Sequence, residues 1–205
     1  MEQTKDHSRY QQQRLEATRS AAAEFAEKGF HGASTADIAR RMGIKQGSLY
    51  YYFKSKEEAL YEVCMLGIHD YLRRMEVIAA SGQPFEAKLL ATVGSHLSGY
   101  REKNEALKVY NAERLYLPEL ERKDLKKEGS RYRKLLEEIF EQGQRDGIVR
   151  DSVDCHFAAL AVIGLCNSWG EWIVRDHELD LFSIVQKCTD LLLNGFSDKD
   201  RKVNH

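Results

Sequence analysis

Hydrophobic positions recur three or four residues apart along most of the chain, the spacing of an α-helix that buries one face. The first such segment runs from about Tyr10 to Lys28, and Gly29 followed by Phe30 supplies a C-terminal stop. No segment alternates between apolar and polar residues as a β-strand would, and no internal repeat is visible. The pattern therefore predicts an all-α protein.

Two short helices are predicted directly after the first. Ser34 is followed three residues later by Asp37, a pairing typical of a capping box at a helix start. The next helix covers roughly residues 46–53 and places Leu49 and Phe53 inward, four positions apart. Tight turns that contain glycine separate the three segments, an arrangement typical of a helix-turn-helix.

The remainder of the chain continues as helices. A second capping box opens the fourth helix, which we expect to run from residue 55 to about Ala80. Later helical segments are expected near residues 84–101, 104–116, 118–146, 152–175 and 178–195. The polar residues from Ser197 onward are expected to fray.

Charge is distributed unevenly along the 205 residues. Residues 1–56 carry ten Lys and Arg against six Asp and Glu, whereas residues 57–205 carry 21 against 26. A basic end on an acidic body fits local binding of phosphate groups, with the rest of the chain serving another purpose.

Several function classes find no support in the residues. The four cysteines form neither a CxxC pair nor a metal-ligand spacing, so buried, reduced thiols are expected. No nucleophile–base pair, metal cluster or phosphate loop is recognisable, and we expect no enzyme activity, no catalytic or metal-binding residues and no cofactor. The polar N-terminus and the interruption of the longest apolar stretch by Glu171 predict a cytoplasmic protein without a signal peptide or membrane span.

The predicted third helix presents an unusual outward face. Its outward residues are Gln46, Gly47, Ser48, Tyr50, Tyr51 and Tyr52. A solvated helix normally displays Glu and Lys, whereas tyrosine hydroxyls can donate to phosphates and Gln and Ser suit hydrogen bonds to base edges. Gly47 within a helix costs up to ~1 kcal/mol relative to alanine, a cost that closer approach to base edges would offset.

Lys56 lies in the first turn of the fourth helix, where the helix dipole disfavours a cation. A DNA phosphate held by Lys56 and the exposed backbone N–H groups would reverse that penalty. A merely solvated lysine is the alternative for this residue taken alone. Together with the spacing, the cluster at 45–56 favours DNA binding.

These segments resemble the tetracycline-repressor (TetR) family of transcriptional regulators. The resemblance covers residues 10–60 without a gap, in the motifs Phe25–Phe30, Ser34–Ala39, Met42–Ile44 and Gly47–Leu60. It implies an N-terminal helix-turn-helix DNA-binding domain over residues 1–56. It also implies a C-terminal helical ligand-binding and dimerisation domain over residues 57–205.

The resemblance further implies roles for individual residues. Contacts to DNA phosphates are implied for Thr35, Tyr50, Tyr52 and Lys56. Base-facing positions are implied for Lys45, Gln46, Gly47, Ser48 and Tyr51. A homodimer formed by the last two long helices would present two recognition helices to palindromic double-stranded DNA, whose half-sites lie ~34–36 Å apart.

Two apolar stripes on the last helices are candidates for that dimer interface. The first consists of Ala158, Ala159, Val162, Ile163 and Cys166. The second consists of Leu181, Val185, Cys188, Leu192 and Phe196. Two such helices from each protomer could form a four-helix interface, and an intramolecular core is the alternative.

A small-molecule sensor needs a largely apolar pocket with a few polar anchors. The candidate anchors are His96, Tyr100, Tyr110, Asn111, Arg114, Tyr132, Asn167 and Trp169. The runs Glu113–Glu119, Arg131–Leu136 and Asn167–Trp172 resemble a branch of the family that senses fatty-acyl or steroid-derived CoA thioesters. That branch often carries a Pro-Gly segment after the second tryptophan, where this chain has Ile173–His177.

Repression is the expected default, because a dimer without effector would occlude a promoter. The effector would favour a state in which the fourth helix swings and the half-site spacing is lost. Multidrug-type sensing is the alternative effector class. An enzyme acting on acyl thioesters and a helical adaptor without DNA affinity are the alternatives of another class, and neither explains the cluster at 45–56.

Overall fold

The computed structural model describes residues 2–101 and 104–196, and every regular element within them is a helix. The α-helices are α1 Glu2–Gly32, α2 Thr35–Met42, α3 Gln46–Leu49, α4 Lys56–Ala80, α5 Phe85–Arg101, α6 Glu105–Glu113, α7 Glu119–Arg145, α8 Cys155–Arg175 and α9 Leu181–Phe196. A single 3₁₀ turn, Arg114–Tyr116, follows α6. The all-α prediction is confirmed. Residues 197–205, which were expected to fray, lie outside the described part of the chain.

Helix α1 is longer than its sequence pattern predicts. It begins at Glu2 rather than near Tyr10, and it kinks at Gly29, where φ is 71° and ψ is 165°. A left-handed φ of this kind is open to glycine at little cost, so the predicted stop signal bends the helix before the last turn ends at Gly32.

Helix α2 has the caps that the sequence predicts. Ser34 Oγ accepts from the Asp37 backbone N–H over 3.2 Å, and Asp37 Oδ2 accepts from the Ser34 backbone N–H over 3.0 Å. Gly43 ends the helix in the left-handed conformation and donates its N–H to the carbonyls of Ala39 and Arg40.

Helix α3 is shorter than predicted, because it ends at Leu49 rather than Phe53. Beyond Leu49 the backbone hydrogen bonds follow the tighter 3₁₀ pattern. The backbone N–H of Tyr51 donates to the carbonyl of Ser48 and that of Tyr52 to the carbonyl of Leu49, three residues back in each case. Leu49 and Phe53 are nevertheless both 2 % exposed, as the sequence predicts. We refer to residues 50–52 as the recognition turn.

An ion-pair network fastens α2 to α1. Glu24, a buried carboxylate, accepts from Arg41 Nε over 2.6 Å and pairs with Lys28 Nζ at 2.9 Å. Arg41 also pairs with Glu27. The hydrogen bonds from Arg41 first, and from Lys28 second, hold the pKa of Glu24 below its ordinary value. The network fixes the helix that precedes α3.

The described residues divide into two compact units. The first contains the chain up to Asp70 and the segment that ends at Lys127, so α1–α3, most of α4, and α6 belong to it. Its core includes Phe25, Ile38, Leu49, Leu60 and Leu107, all 2 % exposed or less.

The second unit contains α5, α8 and α9 together with the end of α4 and most of α7. Helix α5 packs against both α8 and α9. Fully buried members of its core are Leu89, Leu97, Leu136, Phe140 and Cys166.

The small-residue stripe on α8 belongs to this intramolecular core. Ala158, Ala159, Val162 and Cys166 are 1 % exposed or less, and on α9 Val185, Cys188 and Leu192 are buried too. The alternative that the sequence left open, an intramolecular core, is therefore correct, and the interface expectation is wrong for these buried residues. Small side chains let α5 approach α8 closely. The side chain of Phe196 lies outside the description.

Helix α8 is, within the described residues, the one helix long and apolar enough to cross a membrane by length and composition alone. A third of its most apolar window is buried inside the protein. Core helices of soluble proteins also meet this criterion, so it is weak evidence for a membrane span, and one face of α8 packs against α5.

Candidate functional site

The start of α3 and the recognition turn present the outward residues that the sequence singled out. Lys45, Gln46, Gly47 and Ser48 are exposed. Tyr50 and Tyr51 are exposed by 51 % and 71 %, whereas tyrosine is a residue type of intermediate burial. Tyr52 is half-buried. These residues together form what we call the recognition surface.

Gly47 leaves this surface open at its centre. A Cβ atom added there would meet nothing within 4 Å, so the packing of the chain itself does not require glycine. The helix-propensity cost of Gly47 remains without compensation inside the protein. The space above Gly47 is therefore free for another molecule to approach the backbone.

A hydrogen bond joins the starts of α2 and α3. Gln46 Nε2 donates to Thr35 Oγ1 over 3.0 Å, which brings a predicted base-facing residue beside a predicted phosphate contact. The bond uses one of the two Gln46 N–H donors, and its amide oxygen remains an acceptor.

Lys56 has partners that the sequence did not reveal. Its Nζ donates to the carbonyls of Phe30 over 2.8 Å and Ala33 over 3.1 Å, and it lies 4.4 Å from the centre of the Phe30 ring. The side chain therefore satisfies carbonyls at the end of α1. Its contact with a DNA phosphate stays a prediction.

The recognition turn also contacts Tyr10 of α1, a residue that sequence reasoning left outside the site. The Tyr10 ring lies against those of Tyr51 and Tyr52, with centroids 5.4 and 6.2 Å away. The contact joins residues that are more than 40 positions apart, so no local sequence pattern reports it. The one available signal was the presence of an aromatic residue near the predicted start of the first helix.

Four of the eight predicted ligand-binding residues form a hydrogen-bonded cluster in the second unit. His96 Nδ1 lies 3.1 Å from the Tyr132 hydroxyl, and His96 Nε2 lies 3.0 Å from Asn167 Oδ1. The Tyr100 hydroxyl donates to the same Asn167 oxygen over 3.1 Å. We call these four side chains the polar cluster.

The polar cluster is electrically neutral at physiological pH. Burial lowers the pKa of His96 to about 4, despite the opposing hydrogen bond to Asn167. Burial also raises the pKa of Tyr132 well above its ordinary value. The distances fit one neutral tautomer, in which the Tyr132 hydroxyl donates to Nδ1 and the Nε2–H of His96 donates to Asn167.

Close contact with α8 fixes Tyr100 within the cluster. A Cβ added at Gly170 would lie 2.3 Å from the Tyr100 ring, so only glycine leaves room for the ring at this point. Tyr71 borders the cluster as well, because its hydroxyl donates to the carbonyl of His96 over 3.3 Å. The sequence did not single out Tyr71.

The other predicted ligand-binding residues are not part of the cluster. Tyr110, Asn111 and Arg114 belong to the first compact unit, where Arg114 Nη1 donates to the carbonyls of Tyr110 and Asn111. Arg114 thus donates hydrogen bonds to carbonyl groups in the last turn of α6. Trp169 is half-buried on α8 and belongs to the second unit.

Two family models match the chain over most of its length. The model for bacterial regulatory proteins of the TetR family matches residues 18–63, and the tetracyclin repressor-like C-terminal domain matches residues 82–196. The chain belongs to the TetR family. The first match contains the recognition surface, and the second contains the polar cluster.

Relatives of established name cover both compact units. The HTH-type transcriptional repressor KstR2 of Rhodococcus jostii is 32 % identical over 71 % of this chain and 72 % of its own length. The fatty acid metabolism regulator protein of Bacillus subtilis is 25 % identical over 88 % of this chain and 93 % of its own. This TetR-family chain is accordingly a ligand-responsive, DNA-binding transcriptional repressor.

A solved structure shares the fold. The transcriptional regulator FadR of Bacillus subtilis, in complex with stearoyl-CoA, superposes with a TM-score of 0.77 at 23 % identity. The superposition covers 89 % of this chain and 98 % of FadR.

The polar cluster predicts a specific pH dependence of stability. Between pH 6.5 and 4 an unfolded histidine binds a proton that folded His96 does not, so the free energy of unfolding should fall as the pH falls through this window. We expect His96→Gln to reduce the loss between pH 7 and pH 5 by about 1–2 kcal/mol.

Urea unfolding of both proteins at the two pH values measures this difference. The wild type and the variant share every other titrating group, so their difference reports His96 alone. An equal loss in the two proteins would contradict a neutral His96 in the folded state.

Proposed function

We propose that this repressor is a cytoplasmic homodimer that binds a palindromic operator through α3 and the recognition turn, and that a fatty-acyl CoA thioester releases it. The observation that carries the DNA-binding part is the recognition surface, in which polar residues of α3 and tyrosines of the recognition turn lie outward while Leu49 and Phe53 are buried. An ordinary solvated helix would show Lys and Glu at these positions.

The residues of the recognition surface, together with Thr35 and Lys56, take different parts in this proposal. Tyr50, Tyr52, Thr35 and Lys56 contact phosphates, which fixes the position of the protein on the duplex. Lys45, Gln46, Gly47, Ser48 and Tyr51 face the bases in the major groove. The division into residues 1–56 for DNA binding and 57–205 for effector binding and dimerisation is part of the same proposal.

Selection from a randomised DNA pool tests the DNA-binding part. We expect the protein to select a palindromic site. Its affinity for this site should fall steeply as the salt concentration rises, because lysines that neutralise phosphates release counterions condensed on the DNA. Gln46→Ala should relax the preference at one position of each half-site by about 1–3 kcal/mol, whereas Tyr50→Phe should weaken all sequences alike.

Lys187→Ala provides the matched control for charge. It removes an exposed cation from α9, whereas Lys56→Ala removes the cation that is proposed to contact a phosphate. We expect only Lys56→Ala to lower the salt dependence of binding, by roughly one unit of slope per protomer. Failure of the wild type to enrich any sequence would overturn DNA binding by this chain.

The proposed dimer interface is the face of α8 that points away from the intramolecular core. Phe157, Leu160 and Trp172 are exposed by 67 %, 45 % and 56 %, at the spacing of one helical stripe. Gly164 lies on the same stripe, is exposed, and would have nothing within 4 Å of an added Cβ. A flat centre with large apolar neighbours suits close crossing of two copies of α8.

Leu160→Glu tests this interface. A charge buried between two copies without a partner should dissociate the dimer at micromolar concentration, as light scattering after size exclusion would show. Leu115→Glu makes the same change at a leucine that is 70 % exposed in the first unit, and we expect it to leave the dimer intact. A dimeric Leu160→Glu protein would place the interface elsewhere.

The effector proposal rests on the neutrality of the polar cluster and on the relatives. Neutral His96 and the tyrosine hydroxyls suit an uncharged polar group such as a thioester carbonyl, within an otherwise apolar and aromatic surrounding. A cationic multidrug-type ligand would gain no charge pairing there. The FadR structure was solved with stearoyl-CoA, which supports a long-chain acyl thioester here.

The class of effector can be tested by comparing how well different compounds release the protein from operator DNA. We expect stearoyl-CoA to release the protein, and CoA alone, stearate alone and lipophilic cations to act far more weakly. Tyr132→Phe removes one hydroxyl, so it should raise the half-releasing concentration about fivefold with unchanged DNA affinity. Release by CoA alone would contradict an acyl-sensing cluster. Appearance of free CoA in the same assay would favour the enzyme alternative.

A path for the response is part of the proposal. Helix α4 begins at Lys56, beside the recognition turn in sequence, and continues to Ala80 in the second unit. We propose that effector binding favours an orientation of α4 that is incompatible with the half-site spacing. This requires that the effector bind the two states with different affinities.

A further inference from the structure

Tyr10 packs against the recognition turn although it lies near the other end of the DNA-binding unit in sequence. Its ring stands edge-on to Tyr51, with centroids 5.4 Å apart, and stacks on Tyr52 at 6.2 Å. Tyr51 and Tyr52 meet edge to face at 5.5 Å. The three rings form a tyrosine cluster, so α1 restrains two of the turn's side chains.

Neighbouring residues of α1 extend the same contact. Gln13 Oε1 accepts from the Tyr52 hydroxyl over 3.5 Å, and Arg14 Nη2 pairs with Glu62 Oε1 at 2.6 Å. Residues 10, 13 and 14 share one face of α1 because they are three and four positions apart. This face joins the recognition turn to the first turns of α4.

The tyrosine cluster matters because Tyr51 is 71 % exposed. An exposed aromatic side chain in a short turn would sample several rotamers, and ordering it upon binding would cost conformational entropy. Contact with Tyr10 orders the ring before DNA arrives. Tyr50, also exposed, makes no ring contact with Tyr10 in the described structure, and it provides an internal comparison.

We propose that Tyr10 is a positioning residue for DNA binding, which holds Tyr51 and Tyr52 in the orientation that meets the duplex. The inference rests on the proposed function, because it assigns Tyr10 to the same surface. Tyr10 acts through its ring, since each of its contacts in the cluster is a ring contact. Its hydroxyl has no part in the proposal.

Binding of a selected operator by Tyr10→Ala and Tyr10→Phe tests this role. We expect Tyr10→Ala to weaken binding about 2- to 10-fold, the range of aromatic pair energies, while Tyr10→Phe stays within about twofold of the wild type. Urea unfolding and light scattering establish that each variant is folded and has the oligomeric state of the wild type.

Double-mutant cycles separate positioning from a general structural effect. The loss from Tyr10→Ala should shrink at least by half in a Tyr51→Ala background, because its partner is gone. The loss should stay complete in a Tyr50→Ala background. Equal losses in both backgrounds, or a Tyr10→Phe protein as weak as Tyr10→Ala, would overturn the positioning role.

The outcomes also distinguish this inference from the proposed function. A wild-type protein that selects no DNA overturns both. A wild type that binds its operator while Tyr10→Ala binds equally well overturns the role of Tyr10 alone.

Discussion

Helix α3 has only four residues, and nucleation makes a helix of that length unstable by itself, because each early hydrogen bond fixes several dihedral angles. Its stability must come from the burial of Leu49 and Phe53, which flank the tightened turn. The outward residues are displayed only as long as these two side chains stay in the core of the first unit. Every DNA-binding role proposed for the recognition surface depends on that anchorage.

Helix α1 supports this anchorage at several points along its length. The Tyr10 end contacts the recognition turn, while Glu24 in the middle pairs with Arg41 of α2. The kinked end, with Ala33 directly after it, supplies the two carbonyls that accept from Lys56 at the start of α4. One long helix therefore fixes the positions of three shorter stretches of chain. A segment without predicted DNA contacts thus sets the geometry of those that have them.

The second unit combines apolar packing with a buried polar cluster whose members satisfy one another. Burying such a network costs little free energy only while each donor has an acceptor. A ligand that enters must therefore replace the hydrogen bonds that it breaks. Helix α8 serves the cluster through Asn167 and packs its small residues against α5. Its other face keeps large exposed side chains. The two faces of one helix thus differ in residue size as well as in burial.

Local signals in the sequence determined the helices, the capping box at Ser34, the inward pair Leu49 and Phe53, and the family resemblance, because caps and periodicity act over a few neighbouring residues. They also indicated all four members of the polar cluster by residue type. Tertiary structure decided what each face packs against: the carbonyls at Lys56, the ring of Tyr10 on the recognition turn, and the burial of the α8 stripe within the chain. Periodicity shows that a face is apolar, but an intramolecular core and a dimer interface demand the same apolar residues.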